Sequence, residues 1–426
     1  MPLAPVPSLY AATANEAPDR PSLTGRCRAD VCVIGAGFTG LSTALFLAEA
    51  GFRVIVLEAA TVGWGASGRN GGQIVNSFSR DLDAIERQTR PQQLTLLAQM
   101  AFEGSQIIRR RVSEYGIHCD LKDGGIFAAL TPSQCKHLQT QQSLWQRFGY
   151  DRLELLDKAA IRARVGSDRY LGGALDHTGG HIHPLNLALG EAAAFESLGG
   201  VIHEYSAVTD VKPGQPAEVV TATGTVTADY VVVAGNAYLG GLIPELNAKS
   251  MPCGSQIIAT EPLDWELAER LLPFDDCVED CNYLLDYYRL SADKRLIYGG
   301  GVVYGARDPA DIDRIIRPKM LKTFPELASV KIDYRWTGNF LLTLSRLPQL
   351  GRLERNILYS QGCSGHGVTF THVAGQALAL AIQGQADRLD AFASLPHYPF
   401  PGGRLFRVPF TALGAWYYGL RDRLGV

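Results

Sequence analysis

A chain of 426 residues exceeds one ordinary core and predicts two domains of roughly 100 to 200 residues each. Hydrophobic content of 46% and charged content of 19% suit a folded, enzyme-sized protein, and a net charge of −3 with no long Lys/Arg run argues against a nucleic-acid surface. No apolar stretch reaches the ~20 residues of a membrane span, and residues 1 to 25 lack the basic-then-apolar order of a secretory leader, so a cytoplasmic protein without a membrane partner is expected.

The first strong element is an apolar strand, Val31-Cys32-Val33-Ile34, that breaks into Gly35-Ala36-Gly37-Phe38-Thr39-Gly40. The apolar spacing of Leu41, Ala44, Leu45 and Ala48 after it predicts a helix, and Gly51 stops that helix. In this pattern Gly35 permits the tight turn, Gly37 lets backbone approach a pyrophosphate, and Gly40 lets the helix sit close on the strand. A second strand, Arg53 to Leu57, ends at Glu58, placed as the acid that holds a ribose hydroxyl. An ordinary βαβ unit with a surface Glu is the other reading of these residues.

Next comes Gly63 to Gln73, a loop too glycine-dense for regular structure, in which Ser67, Arg69 and Asn70 offer polar contacts to phosphate and ribityl oxygens. Further on, Leu185 to Leu198 reads as a helix and Val201 to Tyr205 as a strand. Ala217–Thr221 and Thr225–Thr227 read as a hairpin, and Asp229 to Gly235 as a separate buried strand. Near the C-terminus, a strand from Asn356 to Gln361, the turn Gly362-Cys363-Ser364-Gly365-His366-Gly367 and a helix from Val368 to Gln383 repeat the opening design. The intervening stretches, including an alternating strand from Tyr283 to Arg289, predict a cap, and an amphipathic helix is expected from Pro409 to Leu424. Eight cysteines form no paired framework and no zinc spacing, so free thiols are expected. His177, His181 and His183 invite a metal reading, but Gly179-Gly180 and Pro184 break any regular element that would align them; a turn is expected and no metal.

The Gly-x-Gly-x-x-Gly turn, the loop Gly65-Ala66-Ser67-Gly68-Arg69-Asn70-Gly71-Gly72-Gln73 and the distal Ser364-Gly365-His366-Gly367 turn together resemble the FAD-dependent D-amino acid oxidase and sarcosine oxidase superfamily. More narrowly, Asp176 to Pro184, Tyr283 to Leu290, Trp336 to Leu342 and Leu395 to Gly403 are similar to enzymes that oxidise γ-glutamylated polyamines. The resemblance implies an α/β and α+β fold, with a discontinuous Rossmann-like FAD-binding domain (28–81, 182–242 and 336–390) and a mixed-sheet substrate or cap domain (82–181 and 243–335). Residues 391–426 would pack on the body. FAD would be held by Gly35, Ala36, Gly37, Phe38, Thr39, Gly40, Glu58 and Ala59, by Gly65, Ala66, Ser67, Arg69, Asn70, Gly71, Gly72 and Gln73, by Val208 and Gly235, and by Gly365, His366, Gly367, Val368 and Thr369. The flavin ring would lie between Gln73 and the distal turn, with a helix N-terminus aimed at its pyrimidine side.

The activity so implied is oxidation of the primary amine of a γ-glutamyl amine to the aldehyde, releasing ammonia, with dioxygen as acceptor and hydrogen peroxide as product. A dehydrogenase with another acceptor, or a non-enzymatic flavoprotein subunit, are the other readings. His366 and Gln73 are the catalytic candidates, with a His366 that merely bonds a neighbouring carbonyl as the alternative. Arg289 and Arg307 are candidates for the substrate carboxylate, and Tyr283, Tyr287, Tyr288 and Tyr304 for an aromatic amine tunnel. Three departures from the sarcosine oxidase pattern stand out. Thr369 replaces the carboxylate-binding lysine, Ile297 replaces a lysine that assists dioxygen, and Leu341 to Ser345 lacks the flavin-tethering cysteine, which implies non-covalent FAD.

Overall fold

The computed structural model describes residues 6–305 and 309–424 and builds two β-sheets in contact. In the first, the strands Ile357–Gln361, Gly224–Val233, Gly25–Ile34, Val54–Leu57 and Val201–His203 lie side by side and parallel, in that order. Gln349–Glu354 adds an antiparallel edge, and the hairpin Val208–Lys212 with Ala217–Thr221 extends from Gly224–Val233. The continuous apolar run at Val31–Ile34 is explained by burial on both faces. Val31 and Val33 point into the larger core with the helix Phe38–Glu49, while Cys32 and Ile34 point into a smaller core on the opposite face. The helix Gly367–Ile382 packs on Phe38–Glu49 and on the long helix Pro91–Glu114.

The second sheet runs Ile332–Thr343, Ser250–Thr260, Leu296–Tyr304, Tyr287–Leu290, Cys277–Asp280, Lys122–Ala129, Gly172–His181 and Gln73–Ile74, with Leu153–Leu156 also paired to Gly172–His181. It is antiparallel except where Cys277–Asp280 runs parallel to Lys122–Ala129, so the expected mixed sheet is found. Its own core holds Tyr170, Tyr288, Tyr298 and Phe324.

Several sequence expectations are corrected. Strand Gly224–Val233 is one element where two were read, because Ala228 is buried and the same parallel register with the first strand holds on both sides of Asp229. Tyr283 and Leu284 form a turn, Leu285 and Asp286 are irregular, and only Tyr287–Leu290 is strand. His177 and His181 lie within the strand Gly172–His181, which runs through Gly179 and Gly180 instead of turning there. Gly180 tolerates this at φ +151, where an added Cβ would lie 2.0 Å from the Lys122 carbonyl oxygen. The boundary expected at 336 falls inside strand Ile332–Thr343 of the second sheet, to which Gln73–Ile74 also belongs. All eight cysteines are free, and no group of metal ligands is found among the described residues. No described helix is long and apolar enough to cross a membrane.

Candidate active site

Where the two sheets meet, two cavities of about 260 and 700 Å³ share Ala66, Asn70, Phe340, Gly365, Gly367 and Val368 in their walls. The smaller is lined by Gly35, Gly37, Phe38, Thr39, Glu58, Ala59, Gly65, Ser67, Val208 and Gly235. The larger takes Arg69, Gly71, Gln73, Tyr287, His366 and Thr369. Thus residues read from four separate stretches of sequence converge on one continuous space. Ala36, Gly40 and Gly72 stand behind its walls.

The smaller cavity has the form of a dinucleotide cradle. Gly40 is the close-approach glycine, since a Cβ there would sit 1.9 Å from the Gly35 carbonyl oxygen. Gly35 adopts φ +105, a conformation that favours glycine. Glu58 Oε2 accepts from the Ala36 N–H at 2.7 Å and Oε1 from the Ala60 N–H at 2.9 Å, which fixes the carboxylate and leaves each oxygen a further lone pair. The helices Phe38–Glu49 and Gly367–Ile382 both begin without a side-chain cap from their N-cap residues, Gly37 and His366, and their first turns open on the space. Unpaired N–H groups and the helix dipole make such ends hospitable to phosphate or to negative charge on a ring. These residues fit a flavin dinucleotide.

The loop between strands is braced by side-chain hydrogen bonds of two of the expected cofactor residues, Arg69 and Asn70, both of which also line the cavities. The Arg69 guanidinium donates to the Gly65 carbonyl oxygen at 3.1 Å and the Tyr238 hydroxyl at 2.6 Å, and lies over the Trp64 and Tyr238 rings. Asn70 spends its amide on Ala66 O and Ser67 O while its Oδ1 accepts from the Gly72 N–H. Both side chains shape the loop while lining the joined space beside Ser67. Ser67 Oγ itself accepts from the Phe38 N–H at 2.9 Å.

In the larger cavity, His366 Nδ1 lies 3.0 Å from the Phe78 carbonyl oxygen, which assigns the proton to Nδ1. Its Nε2 lies 3.9 Å from Glu279 Oε1, at ion-pair and not hydrogen-bond distance. Glu279 is a site residue that sequence reasoning missed. It is 7% exposed on strand Cys277–Asp280, and burial raises its pKa, partly offset by His366. Gln73 donates from Nε2 to the Val278 carbonyl oxygen at 3.0 Å, so its amide is tied to the same strand. Thr369 Oγ1 donates to Val75 O at 2.6 Å. Tyr287 packs against Gly71, where a Cβ would lie 2.6 Å from the ring, and pairs its hydroxyl with Ser255 Oγ at 3.0 Å.

Of the tunnel candidates, Tyr283, Tyr287 and Tyr304 line the cavity, whereas Tyr288 is buried against Tyr298 and Tyr170 in the second core. Arg289 is also corrected. It is 3% exposed, absent from the cavity wall, and donates to Gly71 O, Ile182 O, Leu290 O and the Tyr10 hydroxyl. Its charge stiffens the back of the glycine loop. Arg307 lies outside the described residues.

The comparisons agree with this geometry. A family model described as "FAD dependent oxidoreductase" (DAO) matches residues 30–381. The chain is 61% identical over 420 residues to γ-glutamylputrescine oxidoreductase of Escherichia coli (strain K12), covering 98% of this chain and 99% of that protein. Among solved structures, glycine oxidase from Geobacillus kaustophilus superposes with a TM-score of 0.71 at 22% identity, covering 84% of this chain and 95% of that one. L-proline dehydrogenase from P. horikoshii does so with 0.71 at 20%, covering 85% and 94%. With its dinucleotide cradle, its second sheet over a joined cavity and a family match spanning both, this chain belongs to the DAO family of FAD-dependent oxidoreductases.

Proposed function

We propose that the protein oxidises the terminal primary amine of γ-glutamylputrescine, or of a closely related γ-glutamyl polyamine, to the aldehyde. The observation that carries this reading is the near-full-length 61% identity to a γ-glutamylputrescine oxidoreductase. The balanced reaction consumes the amine, water and an oxidant, and yields aldehyde, ammonia and the two-electron-reduced acceptor. FAD supplies the hydride acceptor when bound.

The chain's own residues must then bind, orient and deprotonate. An alkylammonium cannot give up hydride until it has lost a proton, and Glu279 faces the cavity with its pKa raised toward the working range of a base. His366, pinned through Nδ1 to Phe78, turns its Nε2 toward that carboxylate. Tyr283, Tyr287 and Tyr304 make the cavity wall aromatic, which suits a cationic amine.

FAD is read as non-covalent. Cys253 and Cys363 reach the cavity walls, yet burial raises the pKa of both and keeps them as thiols. Dioxygen is the favoured acceptor; the second reading, transfer to another acceptor, is favoured by Ile297, which is 1% exposed in an apolar cluster with Trp336 and presents no charge.

Anaerobic bleaching of the flavin by a panel of γ-glutamyl amines, free diamines and α-amino acids tests the substrate. Fast bleaching by γ-glutamylputrescine is expected, and preference for a simple α-amino acid would overturn the reading. Peroxide formed under air separates oxidase from dehydrogenase, and release of yellow supernatant on heat denaturation tests non-covalent binding.

A further inference from the structure

Charge is distributed unevenly around the larger cavity. Glu279 is its acid, and four arginines reach its wall: Arg69, Arg80, Arg346 and Arg407. Arg69 donates to Gly65 O, Thr337 O and the Tyr238 hydroxyl, and Arg407 Nη1 donates to Asn247 O and Ser250 O. Arg80 is exposed. Arg346 differs from all three. Its Nε is buried without a hydrogen-bond partner, its guanidinium lies 4.4 Å over the Tyr283 ring, and no carboxylate among the described residues pairs with it. It sits in the turn between Ile332–Thr343 and Gln349–Glu354 at φ +61, a left-handed conformation that a β-carbon disfavours. Strain of this kind persists where surrounding structure enforces it.

We propose that Arg346, stacked on Tyr283, is the anion anchor of the substrate cavity and takes the α-carboxylate of the γ-glutamyl group. This rests on the substrate reading given under Proposed function. A planar guanidinium with unspent donors matches a carboxylate bidentately, and an aromatic face beneath it holds the fork in place. The anchor thereby moves from Arg289, whose donors are consumed internally, to a residue on the cavity wall.

Two probes separate the ends of the substrate. γ-Glutamylbutylamide keeps the carboxylate and lacks the reacting amine; N-pentanoylputrescine keeps the amine and lacks the carboxylate. With flavin content and melting temperature checked, R346A should bind γ-glutamylbutylamide, followed by flavin absorbance, about 10- to 100-fold more weakly than the parent, and R346K should recover part of the loss. The KM of γ-glutamylputrescine should rise at least about tenfold more than that of N-pentanoylputrescine. Undiminished binding of the butylamide by R346A, equal losses on both substrates, or a parent protein that does not bind the butylamide would each overturn the anchor. If the parent binds the butylamide through Arg346 but γ-glutamylputrescine bleaches no flavin, the substrate reading falls while the anchor stands.

Discussion

Glu279 carries a conflict between folding and chemistry at a single carboxyl group. Its folded-state pKa is raised, first by burial, so the protonated form favours the folded protein and that contribution is lost as pH rises through the raised value. Above it the molecule holds a buried negative charge whose nearest cation candidate, His366 Nε2, is 3.9 Å away. The same charge is what a bound ammonium needs. E279Q should therefore melt higher than the parent at alkaline pH, while anaerobic flavin reduction by the amine falls about 100-fold at neutral pH and loses its rising limb. Stopped-flow reduction across pH, read beside thermal melts of the same samples, checks both halves; parallel pH profiles for parent and variant would remove Glu279 from the reaction.

At the scale of elements, the glycine turn and both flanking helices were legible because each rests on local rules: an apolar run, glycines at fixed spacing and a helical period. The helix Phe38–Glu49 and the helix Gly367–Ile382 lie within a few residues of their expected spans. Pairing partners obey no local rule. Strand Gly224–Val233 looked like two because Asp229 precedes its apolar run, and its half-buried first half is set by parallel register with Gly25–Ile34. Glu279 was illegible for a related reason. It sits in Cys277-Val278-Glu279-Asp280, where nothing local distinguishes a solvated acid from a buried one, yet all four residues are buried. Arg289 was misread in the same way, since an arginine in a short strand gives no sign of which carbonyls will surround it. His183 has a structural task of its own. Its Nδ1 accepts from the Asn186 N–H at 3.1 Å and caps the helix Pro184–Ser197, while Nε2 lies 3.0 Å from Thr13 Oγ1. Burial lowers its pKa to about 4, so its contribution is present above the ordinary value of 6.5 and is lost as pH falls through the folded value. H183N retains a capping acceptor without the titration. Its stability should fall less than the parent's between pH 6.5 and 4, by up to roughly 3 kcal/mol, as read from urea melts at each pH.

On the scale of the whole molecule, the cofactor space is walled by residues 35–73, 207–242 and 360–371, with the second sheet closing one side. A ligand that touches all three segments binds the folded chain and not the unfolded one. FAD at 1,000 times its Kd should add about 4 kcal/mol to stability, and the melting temperature should climb with FAD concentration. Differential scanning calorimetry of flavin-stripped and reconstituted protein checks this; coincident melts would mean that the cradle does not hold the dinucleotide across these segments.

The parallel pairing of Gly25–Ile34 with Gly224–Val233, and of the latter with Ile357–Gln361, has a consequence for biosynthesis. At about 5 to 20 residues per second, a ribosome takes roughly 10 to 40 s to pass from the first of these strands to the second, and longer to reach the third. During that interval the nascent chain carries an apolar strand with a row of unpaired peptide groups along one edge, a template for pairing with any neighbouring chain. Expression yield should then depend on chaperone supply and translation speed more than on the stability of the finished enzyme.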